Sequence, residues 1–288
     1  MTWPNISAGH VRSGLPFNRF GEGSRSAVIF QGLQFEHTPL TRLSARLMTG
    51  VYRFLDAGYT TYLVTRRPGL PHGYAMQDMA DDYARTIHEE FGGPVDVIGT
   101  STGGSIAQHF AADHPELVRR LVIHSSAYTL GAIGKQAQLR IAHFARQRQW
   151  RAAHAVVLRL LAPPSWVGGM IIALGSHLMA LDAPKDPADL VITIEAEDQH
   201  NFKDRLAEIR APTLVVAGEN DPFYAAGLFR ATADGIPQAQ LILYPEMGHP
   251  AMGKPFERDV LAFLMERDAP STDAKYGTLA ASIPERRP

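Results

Sequence analysis

The chain has 288 residues, 45% of them hydrophobic and 20% charged, which gives enough apolar mass for a full core in one large α/β domain or two modest ones. Its formal net charge is -1 with Lys and Arg scattered, so no electrostatic footprint for nucleic acid is expected. The absence of cysteine excludes disulfides, thiolate metal sites and a cysteine nucleophile.

The first residues, Met1-Thr2-Trp3-Pro4-Asn5, lack the basic and apolar regions of a secretion signal. The longest apolar stretch, Trp166 to Leu181, is shorter than a membrane span and is interrupted by glycines, Ser176 and His177. A cytoplasmic protein without integral membrane association is therefore expected.

In chain order, Leu15 to Phe20 and Ala27 to Phe30 read as strands separated by a turn at Gly21 to Ser24. Gln31-Gly32-Leu33 then opens a polar loop containing Glu36 and His37. Thr38-Pro39 supplies an N-cap and a first-turn proline, predicting a helix to about Leu55 that Gly58 ends. Tyr59 to Thr65 is the next strand, with Arg66-Arg67-Pro68-Gly69 as the loop at its end. Met76 to Phe91 is an amphipathic helix closed by Gly92-Gly93. Pro94 to Ile98 is a short β-branched strand leading into Gly99-Thr100-Ser101-Thr102-Gly103, and a helix follows from Gly104 to Ala112. Leu117 to His124 is another strand.

From Tyr128 to about Phe202 the alternation stops and only helices are predicted. It resumes with a strand at Pro212 to Gly218, followed by Glu219-Asn220-Asp221, a helix near Tyr224 to Ala233 and a strand at Gln240 to Tyr244. The loop Pro245-Glu246-Met247-Gly248-His249 and a last helix, Phe256 to Arg267, complete the pattern. The tail Pro270 to Pro288 mixes Pro, Ser, Thr, Gly and charge and is expected to be mobile. Strands alternating with helices predict an α/β fold, a mainly parallel sheet covered on both faces, with its reactive crevice beyond the carboxyl ends of the strands.

Gly-x-Ser-x-Gly between a strand and a helix has a mechanical reading. A tight turn there needs small neighbours, and it leaves the Ser101 hydroxyl exposed beside a helix N-terminus that favours negative charge. A serine hydroxyl needs a base and an acid to orient that base. Asp221 and His249 each follow a late strand, so both fall at the same sheet edge as Ser101, in the chain order Ser, Asp, His.

On these residues, together with Gly99 to Gly104, His114-Pro115-Glu116, Pro212 to Asp221 and Met247-Gly248-His249, the chain resembles the α/β-hydrolase fold superfamily up to about Arg267. The resemblance implies Ser101 as nucleophile, His249 as general base, Asp221 as the orienting acid and the backbone N–H groups of Leu33 and Thr102 as oxyanion donors. It also implies a core of residues 1–127 and 203–269, with 128–202 inserted as a helical cap. One departure is Gln31-Gly32 where the family usually carries His-Gly; the Gln amide can pin the loop but does not titrate. Serine at 101 argues against the family's dehalogenases and epoxide hydrolases, which the resemblance says use aspartate there.

The expected function is hydrolysis of a small-molecule ester or related acyl substrate through an acyl-enzyme. Carbon–carbon bond hydrolysis, lactonase, cofactor-free perhydrolase and non-catalytic ligand binding stand as alternatives. No cofactor and no metal are expected; His109 and His114, five apart on one helix, fall on different faces. Trp166 and Met170 are candidates for the apolar wall of a substrate pocket. Arg66-Arg67 suits a substrate carboxylate or, more ordinarily, a structurally paired loop. The basic residues among Lys135 to Arg159 suit an anionic membrane surface or, more ordinarily, one solvated helix face.

Overall fold

Alternating apolar runs build the sheet in the computed structural model, which describes residues 5–163 and 165–266. The strands are β1 (Ser7–His10), β2 (Pro16–Phe20), β3 (Arg25–Phe30), β4 (Tyr59–Val64), β5 (Val95–Thr100), β6 (Val118–His124), β7 (Thr213–Gly218) and β8 (Ala239–Tyr244). Their spatial order is β1-β2-β4-β3-β5-β6-β7-β8. β1 and β2 are antiparallel at one edge, and the strands from β4 to β8 pair in parallel.

The two faces follow the two-residue period of the strands. Val28, Val97, Ile123 and Val215 pack with residues of α2 (Met76–Phe91), α3 (Thr102–Asp113) and α8 (Ala226–Gly235). Their neighbours Ile29, Ile98, Val122 and Val216 pack instead with α1 (Arg42–Tyr52) and α9 (Lys254–Met265). β5 and β7 are buried along their whole length, as parallel strands covered on both faces must be. The predicted fold class is thus the observed one.

Two local expectations are corrected. Ser7–His10 has no apolar alternation to mark a strand, and β1 exists through its ladder to β2, with Ser7 opposite Arg19. The first helix starts at Arg42 rather than near Pro39, capped by Thr41, whose Oγ1 accepts Ser44 N at 3.3 Å. Asn18 on β2 explains the delay: its side chain accepts Leu40 N at 2.8 Å and donates to Leu40 O at 3.2 Å, so Leu40 is tied to the sheet edge. The expected mobile tail and Arg267 lie outside the described residues.

Between β6 and β7 run four helices, α4 (Ala132–Arg146), α5 (Trp150–Leu161), α6 (Trp166–Met179) and α7 (Ala188–Gln199), with no strand among the described residues. α4, α5 and α7 share a small core of their own, including Ile141, Ala145, Val156, Leu190 and Ile194. Leu33 and Phe35, from the loop after β3, pack against it. Among the described residues no helix is long and apolar enough to cross a membrane.

Candidate active site

β5 ends at Thr100 and α3 begins at Thr102, so Ser101 alone makes the turn between them. It adopts φ 53° and ψ -125°, a left-handed conformation that costs a residue with a Cβ and persists only where its surroundings enforce it. The enforcement is visible. Ser101 N donates to His124 O at 3.0 Å, and Ser101 O accepts Gly104 N at 2.7 Å. A Cβ on Gly99 would lie 2.6 Å from Ala107 Cβ, and one on Gly103 would overlap the carbonyl oxygens of Phe30 and Gln31. The two motif glycines are there because strand and helix pass too closely for any side chain.

Asp221, just past β7, and His249, past β8, are joined by a 2.7 Å hydrogen bond from His249 Nδ1 to Asp221 Oδ2. The other carboxylate oxygen accepts Phe223 N at 2.8 Å and Tyr224 N at 3.1 Å, which fixes the acid in its loop. With Nδ1 donating, His249 Nε2 is left as the acceptor, the tautomer a general base requires. Phe223 and Tyr224 flank the imidazole, with ring centroids 4.7 Å and 6.0 Å away. The buried Tyr224 hydroxyl lies beside the hydroxyls of Ser126 and Ser101, so nucleophile candidate and base candidate share one neighbour. Burial, then Glu197, holds that phenol far above its usual range, so it remains a donor. Among the described residues no hydrogen bond joins Ser101 to His249; catalytic bonds of this kind often tighten only when substrate is present.

The end of β6 braces the histidine loop. Ala251 N donates to Ser125 Oγ at 3.0 Å, and His124 Nε2 donates to Ala251 O at 2.8 Å. Burial lowers the His124 pKa to about 3, which keeps the ring neutral and leaves Nδ1 free to accept from Tyr52 OH at 3.1 Å.

Leu33 and Thr102 N–H make no hydrogen bond to protein among the described residues, and Gly32 stands against Ser101: a Cβ there would lie 3.4 Å from Ser101 Cβ. Arg66 explains how this loop is held. Its guanidinium, almost fully buried, donates to Gln31 O at 3.0 Å, Gly32 O at 2.9 Å and His37 Nε2 at 3.2 Å. His37 Nδ1 in turn donates to Arg67 O at 2.9 Å, and burial, helped by Arg66, lowers the His37 pKa to about 3. The paired-loop reading of Arg66 therefore holds, and no nitrogen is offered to a substrate carboxylate; Arg67 lies 3.8 Å from Asp82. Gln31 is buried and accepts Gln34 Nε2 at 2.9 Å, a loop-pinning role.

Sequence reasoning missed Glu197 on α7. This fully buried carboxylate accepts Thr102 Oγ1 at 2.6 Å, Gln138 Nε2 at 2.8 Å, Ser105 Oγ at 3.2 Å and Tyr224 OH at 3.4 Å. It thereby ties α4 and α7 to the N-terminal turn of α3, where the helix dipole favours negative charge. A signal was present: Leu190, Ile194 and Glu197 lie on one buried helical face, and a lone carboxylate on an apolar stripe needs polar partners.

The remaining candidates lie elsewhere. Trp166 and Met170 are 77% and 58% exposed on the outer face of α6, so neither is a wall of a closed pocket. The residues of α6 that are buried are instead Gly168 and Ser176. His114 bonds Asp81 at 2.8 Å, whereas the His109 ring lies 5.4 Å from that of His200, so the two do not form a pair. Glu219, the other carboxylate near Asp221, pairs with Arg230 at 2.8 Å.

A model of the alpha/beta hydrolase family matches residues 34–258. Among curated relatives, a Klebsiella pneumoniae protein named for carbamate hydrolysis is 24% identical over 184 residues, covering 62% of this chain and 68% of its own length. A Pseudomonas 2-hydroxy-6-oxononadienedioate/2-hydroxy-6-oxononatrienedioate hydrolase is 23% identical over 275 residues, covering 90% of this chain and 95% of its own. The crystal structure of a hydrolase from Pseudomonas aeruginosa PA01 superimposes with a TM-score of 0.73 at 21% identity, covering 91% of this chain and 99% of that one. The family match spans well over half of the chain, and the relatives are hydrolases: this protein belongs to the alpha/beta hydrolase family and is a hydrolase.

Proposed function

We propose that the protein is a serine hydrolase acting on an ester or related acyl substrate. The observation that carries this reading is the 2.7 Å bond from His249 Nδ1 to an otherwise saturated Asp221, at the strand edge where Ser101 is held in a strained turn. Ser101 Oγ attacks the substrate carbonyl as His249 Nε2 takes its proton, and the oxyanion that forms rests on the N–H groups of Leu33 and Thr102. The imidazolium then protonates the departing alcohol. Water, deprotonated by the same nitrogen, attacks the acyl-enzyme, releasing the acid and returning the proton to Ser101. Residues 128–202 act as a cap, seated on the oxyanion loop through Leu33 and Phe35 and on α3 through Glu197.

A second reading is hydrolysis of a 2-hydroxy-6-oxo diene acid. It is favoured by the Pseudomonas relative, which matches 90% of the chain. A fluorophosphonate probe tests the shared nucleophile: stoichiometric labelling of Ser101 is expected, and folded protein that stays unlabelled would leave a binding protein instead. p-Nitrophenyl esters of graded length, run beside a vinylogous diketone, then separate the two substrate classes.

A further inference from the structure

α6 is built inside out. At ~100° per residue, Trp166, Met170, Leu174, Val167, Leu178 and Ile171 fall within an arc of about 140°, and every one of them is exposed in the structure. Leu174 is 60% exposed, and Leu181, just beyond the helix, is 73% exposed. The opposite face carries Gly168, Ile172, Gly175 and Ser176 and is turned inward. A Cβ on Gly175 would already stand 3.1 Å from Leu158 Cδ1 of α5, so small residues let the two helices close together. An ordinary surface helix places its large apolar residues inward and its polar ones outward. Here only Gly168 and Ser176 are buried, and the exposed apolar face is larger than the scattered apolar residues of a normal surface.

Charge marks the same region. From Ala132 to Leu181 the chain has six Lys and Arg residues and no Asp or Glu, although its overall net charge is -1. Three of the six, Arg148, Arg151 and Arg159, line a groove of about 770 Å³ between α5 and α6, together with Trp150, Ile172 and Ser176. Among the described residues no carboxylate pairs with these three arginines.

We infer that the α5–α6 face docks on an anionic lipid surface, with the outer side chains of α6 in the acyl boundary and the three arginines at the headgroups. Apolar side chains on the outer side of α6, with cations behind them in the α5–α6 groove, match the two layers of such an interface. A second copy of the chain fits less well, because a twofold contact would bring the same acid-free, basic surface against itself. The inference does not depend on the role proposed for Ser101.

The test is flotation with vesicles of phosphatidylcholine containing about 30% phosphatidylglycerol, beside pure phosphatidylcholine vesicles. The protein should bind the anionic vesicles at least about tenfold more tightly, and binding should weaken as NaCl rises from about 0.05 to 0.5 M. With Trp3 and Trp150 replaced by phenylalanine, Trp166 emission should shift to the blue on those vesicles. Leu174→Glu/Leu178→Glu and Arg148→Glu/Arg151→Glu/Arg159→Glu should each reduce binding by about tenfold or more while leaving the melting temperature close to wild type. Absence of preferential binding to anionic vesicles, or full binding by the charge-reversed variant, would overturn the inference. So would a dimer that the Leu174→Glu/Leu178→Glu change dissociates, without any vesicle binding.

Discussion

Two helices of this protein carry a Gly-Gly pair in their first turn, and the surroundings of the second glycine differ. In α3 the pair Gly103-Gly104 is buried on every side, against Phe30 O and Ser126. In α6 the pair is Gly168-Gly169: a Cβ on Gly168 would overlap Pro163 O, whereas one on Gly169 would meet nothing within 4 Å. α3 places its apolar side chains, Ile106 and Phe110, against the sheet, whereas α6 turns its large apolar residues to solvent. The α3 glycines let a strained serine form at a crowded strand end; in α6 only Gly168 is buried, and Gly169 stands in the open. The same local sequence therefore serves opposite ends, and only the partner it packs against decides which.

The largest expected effects lie at the α3 end. Under the proposed mechanism Ser101→Ala, His249→Ala and the double variant should each lower kcat by a similar factor, on the order of 10⁶, because members of a catalytic triad act as a unit. Multiplying losses in the double variant would separate the two residues mechanistically. Asp221→Asn should lower kcat by about 10⁴ with folding intact, because the amide no longer holds the required tautomer of His249. Glu219→Gln, which removes only the Arg230 pair, should stay within a few-fold of wild type; reversal of that order in kcat would move the acid to Glu219.

The glycine pairs can be compared directly. Gly103→Ala forces a methyl onto the Phe30 and Gln31 carbonyls and should destabilise by about 3 kcal/mol or more. Gly169→Ala has open space in a helix and should stabilise by up to ~1 kcal/mol. Equal melting temperatures for the two variants would erase the contrast drawn above.

Glu197→Gln keeps the shape but leaves donors facing donors. It should cost about 2 kcal/mol, read by urea denaturation, with the N-terminal turn of α3 losing hydrogen-exchange protection. If instead α6 loses protection and α3 does not, the clamp is misassigned.

Acid should act on the site half through its buried histidines. His37, His124 and His200 have pKa values lowered to about 3, each chiefly by burial. Below the unfolded value of 6.5 the unfolded chain binds protons that the native ring refuses. Stability should therefore be full above about pH 6.5 and fall toward pH 3, each ring contributing at most about 1.4 kcal/mol per pH unit. His124→Gln, which can still bond Ala251 O, should flatten part of that slope in a stability–pH titration.

Much of this was present in the chain itself. The β-branched runs place β3 to β7, because a strand buried on both faces has few alternatives to continuous apolar sequence. Gly99 and Gly103 around Ser101 announce a close backbone crossing, and the placement of Asp221 and His249 past late strands was legible too. What the sequence did not determine is governed by burial. Whether Arg66 meets a substrate or three acceptors of the loop after β3, whether Glu197 sits in solvent or beneath four donors, and whether Trp166 looks in or out all depend on what lies opposite. A long polar side chain or an apolar stripe carries no record of its partner, since hydrogen bonds and hydrophobic contacts form equally well with residues distant in sequence. The composition of Trp166 to Leu181 specified an apolar stretch; only its packing on α5, through glycine and serine, decided which side chains face outward.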